Sequence, residues 1–307
     1  MSETIVFFGS GPVAADSLEL LARTFTIETV ITKPRPAHHR GSVPVLEVAQ
    51  RLNLPTIEVN SKQELSKKIS EAAINSSVAV LIDFGIIVDQ DVIDAFPLGI
   101  VNSHFSLLPE WRGADPISFA ILSGQTETGV SLMLLVQEMD EGPLLDQQTF
   151  RIKYNETTPS LTDELIQLSY SMLCETLPAY VTGTIEPVPQ EVAAAKLAQP
   201  PQVSYSRKLT KDDGTLDWHK PAEVLEREIR AFYGWPKSRM VLANQQVVIL
   251  KAHVVEMDCQ PGQLIVSNKS LAIGTKHNAL AIDLLIPAGK KEMPIAAYLA
   301  GYGQKLL

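Results

Sequence analysis

Between Ile5 and Val136, short β-branched runs alternate with stretches whose apolar residues recur at helical spacing. That alternation restricts the first half of the chain to a Rossmann-like, doubly wound α/β sheet. Strands are predicted at Ile5–Phe8, Ile27–Thr32, Thr56–Val59, Val78–Ile82 and Gly129–Val136. The run Val78-Ala-Val-Leu-Ile82 is apolar at every position, as a central strand covered on both faces must be. Helices are predicted across Ala14–Ala22, Val43–Leu52 and Leu65–Ala73. Leu161, Leu165, Leu168 and Leu173 then mark an amphipathic helix that closes the unit near Thr182–Pro187.

From Pro187 to about Ser204 the composition changes. Pro-Val-Pro-Gln, an alanine stretch and Gln-Pro-Pro-Gln offer little to a core and read as an extended linker. Beyond it, Pro221 suits a first helical turn, and Leu225, Ile229 and Phe232 share one face. Strands are then predicted at Met240–Ala243, Val247–Val255, Gln263–Val266, Leu271–Gly274 and Ala279–Ile286, joined by turn residues such as Asn244, Pro261-Gly262 and Asn278. Short strands at this spacing predict a small antiparallel, OB-like barrel. The expected division is a catalytic domain over 1–186, a linker over 187–204 and a C-terminal domain over 205–307.

Charge is unevenly spread along the 307 residues. Residues 1–202 carry a net −13 and residues 203–307 a net +4. A basic tail on an acidic body is compatible with nucleic-acid contact. Met1-Ser-Glu-Thr has no basic patch and no h-region of signal-peptide type, and no apolar run approaches the ~18 residues of a membrane span. Cys174 and Cys259 have no partner at metal-binding spacing, so free thiols are expected. These features predict a cytoplasmic protein with no membrane association and no metal.

Two motifs carry chemistry. Asn102 and His104 stand two positions apart at the end of the apolar run that starts at Leu98, so on a strand both project from the same face. Parallel sheets keep their sites at the strands' C-terminal edge, where a carboxamide and an imidazole suit an oxygen that gains negative charge. The second motif, Gly9-Ser-Gly-Pro-Val-Ala14, matches the G-x-G-x-x-A of dinucleotide sites, with Glu28 where a ribose-binding acid would stand. Pro12 removes one amide donor from that turn, and Glu28 falls in mid-strand. Both observations favour a tight turn lining a substrate pocket, with Gly9, Gly11 and Pro12 as its candidate contacts.

The segment Asn-Ser-His-Phe-Ser-Leu-Leu-Pro-Glu-Trp-Arg-Gly-Ala-Asp-Pro-Ile, residues 102–117, resembles the N-x-H-x-S-L-L-P-x-x-x-G signature of formyltransferases that use 10-formyltetrahydrofolate. Gln137-Glu-Met-Asp-Glu-Gly-Pro-Leu144 is similar to that family's L-D-x-G segment. The resemblance implies catalytic roles for Asn102, His104 and Asp140. It implies folate contacts at Ser106, Leu107, Leu108 and Pro109, at Phe84, Gly85 and Ile86, and at Glu138, Met139 and Gly142. In the second half, Tyr205–Trp218, Ile229-Arg-Ala-Phe232, Trp235-Pro236 and Pro287-Ala-Gly-Lys-Lys291 look like the methionyl-tRNA formyltransferases. That likeness implies methionyl initiator tRNA as partner, 10-formyltetrahydrofolate as co-substrate and a monomer as the working form.

Three departures stand out. The loop Lys33–Pro44 is shorter than the family's usual basic loop, although Arg35 and Arg40 remain as candidate tRNA contacts with Arg112, Lys290 and Lys291. Met139-Asp-Glu-Gly-Pro143 lacks the second acid of the usual L-D-T-G-D, and Gly9-Ser-Gly-Pro12 replaces the common G-T-P-x-F. The alternative acceptor is an amino sugar or another small amine, which the basic barrel opposes. In either case an amine attacks a formyl carbon and an oxyanion develops. Asn102 and His104 are the expected donors to it, and Asp140 is expected to orient the imidazole and a proton-carrying water.

Overall fold

The structure, a computed structural model, describes residues 3–36, 41–195 and 201–305. It divides into two compact units. One holds residues up to 113 with 128–151 and 162–205, and the other holds 114–127, 152–161 and 206–307. The second unit thus draws two segments from the first half of the chain, which the linear division at 186 and 205 does not foresee.

The first unit is built on a seven-stranded sheet. Its strands are β1 (Thr4–Phe8), β2 (Thr26–Thr32), β3 (Thr56–Glu58), β4 (Ala79–Leu81), β5 (Ile100–His104), β6 (Glu127–Leu134) and β7 (Leu144–Arg151), in the order β3-β2-β1-β4-β5-β6-β7. The first five are parallel, and β6 runs antiparallel to β5. Ile5, Val6, Phe7 and Phe8 of β1 are wholly buried, as the all-apolar strand demands. Helices α1 (Pro12–Leu21), α2 (Pro44–Arg51), α3 (Lys62–Glu71) and α4 (Gln90–Asp94) fill the crossovers. Phe8 anchors one face, its ring edge-on to Phe84 at 5.4 Å and to Phe96 at 5.9 Å, among Leu65, Ile69, Val92 and Ile93.

Strand order reverses between β1 and β4, the place where open α/β sheets usually leave a crevice for ligands. Here that crevice is stitched shut. Asp83 O accepts from Ser10 N at 3.0 Å and Gly11 N at 3.3 Å, and Ser10 Oγ donates to Phe84 O at 2.9 Å. β5 lies one strand over, parallel to β4. There alternation fixes the two faces, since Ser103 Oγ lies 2.7 Å from Ser169 Oγ on the long helix α5 (Thr158–Val181). Asn102 and His104 then point to the opposite face.

In the second unit, β8 (Ser238–Leu242), β9 (Gln245–Val255), β10 (Leu264–Val266), β11 (Leu271–Gly274) and β12 (Ala279–Pro287) form an antiparallel sheet in the order β8-β9-β12-β11-β10, with β13 (Met293–Pro294) also on β12. Bulges in β9 on either side of Lys251 coil the sheet into an OB-like half-barrel. Leu225 and Ile229 of α6 (Ala222–Ala231) and Tyr298 and Leu299 of α7 (Ile295–Tyr302) close its core. No helix among the described residues is long and apolar enough to cross a membrane.

Candidate active site

β5 presents Asn102 and His104 side by side, each 7 % exposed, so neither loses its geometry to solvent. The strand's register sets what they can meet. Asn102 pairs with Met133 and His104 with Ser131 of β6, whereas Leu134 lies beside Val101. The turn after Leu134 must therefore fold back along β5 to reach His104, and it does. Asp140 Oδ1 lies 3.8 Å from His104 Nδ1. Asp140 adopts a left-handed backbone with φ of 55°, a conformation that aspartate tolerates better than most residues. Its other oxygen, Oδ2, accepts from Gly113 N at 2.6 Å.

His104 Nε2 lies 2.9 Å from Trp111 O. A carbonyl only accepts, so Nε2 carries hydrogen and Nδ1 is the pole left to face a reacting atom and Asp140. Among the described residues the Asn102 carboxamide makes no hydrogen bond, which leaves its N–H groups available to a ligand. A cradle of one available amide, one imidazole pole and one carboxylate oxygen can stabilise an oxyanion and pass a proton beside it.

Known proteins resemble this chain along nearly all of its length. The formyl transferase family matches residues 5–177, and the formyl transferase C-terminal domain matches residues 208–303. The chain belongs to the formyltransferase family. A methionyl-tRNA formyltransferase of Roseiflexus sp. (strain RS-1) is 37 % identical over 97 % of this chain and 92 % of its own length. One from Chloroflexus aggregans is 36 % identical over 97 % and 96 %. Among solved structures, an N-formyltransferase from Helicobacter canadensis with folinic acid and dTDP-3-aminofucose shares the fold with a TM-score of 0.66. It is 17 % identical and covers 92 % of this chain and 99 % of that one.

Within this formyltransferase, the Ser106–Pro109 loop is tied down from inside. Ser106 Oγ donates to Glu110 O at 2.5 Å, Ser131 Oγ donates to Ser106 O at 2.6 Å, and Gln147 Nε2 donates to Leu108 O at 2.9 Å. Leu108 is 1 % exposed and packs on Met133 and Leu144, so only half-buried Leu107 leaves its side chain open to a ligand. Phe84 is a core ring, and any ligand contact there falls to its backbone rather than its side chain. Gly85 has φ of 64° and its carbonyl accepts from Lys33 Nζ at 2.8 Å. Ile86 is half-buried, and Glu138 and Met139 are exposed. A Cβ on Gly142 would stand 1.7 Å from Leu134 O, so the turn closes only around a glycine there.

The glycine turn at Gly9–Gly11 is not a dinucleotide site. The amides of Gly9, Ser10 and Gly11 already donate to Ile31 O and Asp83 O, and a Cβ on Gly11 would collide with the Asp83 carboxylate at 1.8 Å. Pro12 opens α1. Glu28 accepts from Asn75 N at 2.8 Å and from Ser76 N at 2.7 Å, and from the side chains of both. Burial pulls this carboxyl up, but the four donors together outweigh it and hold it below the ordinary glutamate value.

The positively charged candidates differ in what surrounds them. Arg112 is buried, with Nη1 2.8 Å from Glu141 Oε1 and Nη2 donating to Gln190 Oε1 at 2.8 Å, which makes it a clamp within the first unit. Arg35 donates to Gly41 O at 2.7 Å and pairs with Glu47 at 3.6 Å. Arg40 lies outside the described residues. Lys290 and Lys291 are exposed on the β12–β13 turn and make no ion pair among the described residues.

The presumed linker contains what the sequence reading misses. Val188 and Leu144 exchange backbone bonds at 2.8 Å in each direction, Ser204 braces Pro109, Trp111 and Arg112, and Gln190 reaches the Asp140 turn. A glutamine amid prolines and alanines carries no motif, so only the long-range geometry exposes it.

Proposed function

We propose that this formyltransferase transfers the formyl group of 10-formyltetrahydrofolate to the α-amino group of methionine on initiator tRNA, as a cytoplasmic monomer. The observation that carries the reading is the approach of Asp140 Oδ1 to 3.8 Å from His104 Nδ1, beside the face of β5 that Asn102 shares with His104. Catalytic contacts are commonly long without substrate and tighten when it binds.

The neutral amine attacks the formyl carbon, forming the new C–N bond and leaving an oxyanion beside a protonated amine. Asn102 donates an amide N–H to that oxygen, and His104, as the imidazolium with hydrogen on both ring nitrogens, donates from Nδ1. Asp140 Oδ1 orients a water that takes the amine proton and returns one to N10 of the folate. The C–N10 bond then breaks, giving formylmethionyl-tRNA and tetrahydrofolate.

The names of the relatives that match over 97 % of the chain support the acceptor, as does the basic balance of residues 203–307. The decisive test incubates the protein with the folate donor and either methionyl-tRNA or an amino-sugar nucleotide. Formylmethionine is expected from the first and no formylated sugar from the second. Formylation of the sugar alone would sink the reading.

A further inference from the structure

We propose that Gln190 is the positioning residue for Asp140, holding its turn in the geometry the reaction needs. Gln190 is 2 % exposed. Its Nε2 donates to Asp140 O at 2.8 Å and to Gly142 O at 2.9 Å, so one amide uses both hydrogens on the carbonyls flanking Glu141. Its Oε1 accepts from Arg112 Nη2 at 2.8 Å, and Arg112 Nη1 returns to Glu141 Oε1 at 2.8 Å. The orientation of the amide is forced, because two carbonyls only accept and a guanidinium only donates.

The ring Gln190–Arg112–Glu141 encloses the turn's backbone, whose far end is held on Leu134 by the bond from Leu134 N to Pro143 O at 2.9 Å. Within the turn, Glu141 N reaches Glu138 O at only 3.4 Å, and Asp140 sits in the left-handed region, where a non-glycine residue persists only if its surroundings impose it. The two bonds from Gln190 impose it. They set where the Asp140 backbone lies, and the bond from Gly113 N to Oδ2 then turns Oδ1 toward His104. Gln190 gains its own rigidity from the pairing of Val188 with Leu144 just before it.

The proposal rests on the catalytic reading of Asp140, and the experiment separates the two. Asp140→Asn, Gln190→Met and Gln190→Glu are compared with the parent in steady-state formylation of methionyl-tRNA and in urea unfolding. Methionine fills the space without donors. Glutamate keeps an acceptor for Arg112 but turns an oxygen on the two carbonyls.

Asp140→Asn is expected to lower kcat about a hundredfold. Both Gln190 variants are expected to lower kcat about tenfold, with KM for either substrate changed less than about threefold, under conditions where urea curves show them folded. A merely structural role would lower the urea midpoint and leave kcat per folded molecule intact. That result, or a Gln190→Glu enzyme within twofold of the parent beside an inactive Asp140→Asn, overturns the proposal. An active Asp140→Asn enzyme sinks the catalytic reading and this one together.

Discussion

Among the described residues Asn102 has no partner for its carboxamide hydrogens and is 7 % exposed, so on the proposed mechanism its loss bears on the reaction most directly. Asn102→Ala removes one donor from the oxyanion and is expected to raise the barrier by about 2.7 to 4 kcal/mol, roughly a hundred- to a thousandfold in kcat. Little change in KM should accompany it, because the charge it meets exists only in the transition state. His104→Ala should lower kcat by about a hundredfold or more while methionyl-tRNA binding persists, measured by filter retention. Equal loss of binding and turnover would point to a damaged fold instead. The exposed Met139 and Glu138 on the same turn as Asp140 offer no comparable argument, since their side chains meet solvent.

At the level of single elements, Glu28 gives a measurable acid dependence. Its folded-state value lies below the ordinary carboxylate value, so its contribution to stability is present above the unfolded value of ~4.3 and is lost as pH falls through the folded one. Glu28→Gln is expected to lower the urea midpoint at pH 7, with the gap to the parent closing on acidification. A gap that stays constant between pH 7 and pH 3 would remove the carboxylate from the account. This same residue shows why motif and structure part company. The letters around Gly9 and Glu28 imitate a dinucleotide site, but Asp83, just after β4, takes the amides of Ser10 and Gly11, and Ser76, just before it, donates to the acid.

Period-two and helical patterns made β1, β2, β5 and the core positions of α1, α2 and α3 legible, and with them the pairing of Asn102 and His104 on one face, whereas the short α4 was not read. Edge strand β7, Leu-Leu-Asp-Gln-Gln-Thr-Phe-Arg, escaped because a half-covered edge needs no continuous apolar run. The approach of Asp140 to Gly113, and of Gln190 to Asp140, joins residues 27 and 50 positions apart, and no local pattern encodes it.

For the molecule as a whole, the grouping into compact units differs from the linear division of the chain. The second compact unit includes residues 114–127 and 152–161, which hold its helical side through polar contacts. Arg227 Nε donates to Leu122 O at 3.1 Å, Arg230 Nη1 to Glu156 O at 3.0 Å, Thr158 Oγ1 to Ala231 O at 2.7 Å and Leu209 N to Asp115 Oδ2 at 2.9 Å. A fragment of residues 205–307 lacks every one of these partners. Each bond is worth about 0.5 to 1.5 kcal/mol net, and domains are stable by only about 5 to 15 kcal/mol, so losing the four together with the apolar cover of those segments consumes much of the margin. Such a fragment is expected to retain strand circular dichroism from the half-barrel but to unfold at a lower urea concentration than the same unit in the full chain. Amide exchange should locate the loss in α6, whose Arg227, Arg230 and Ala231 the missing segments hold, with β9 and β12 protected longest. A fragment whose α6 amides exchange as slowly as they do in the intact protein would show that residues 205–307 suffice, and that the two inserted segments are passengers on a domain already complete.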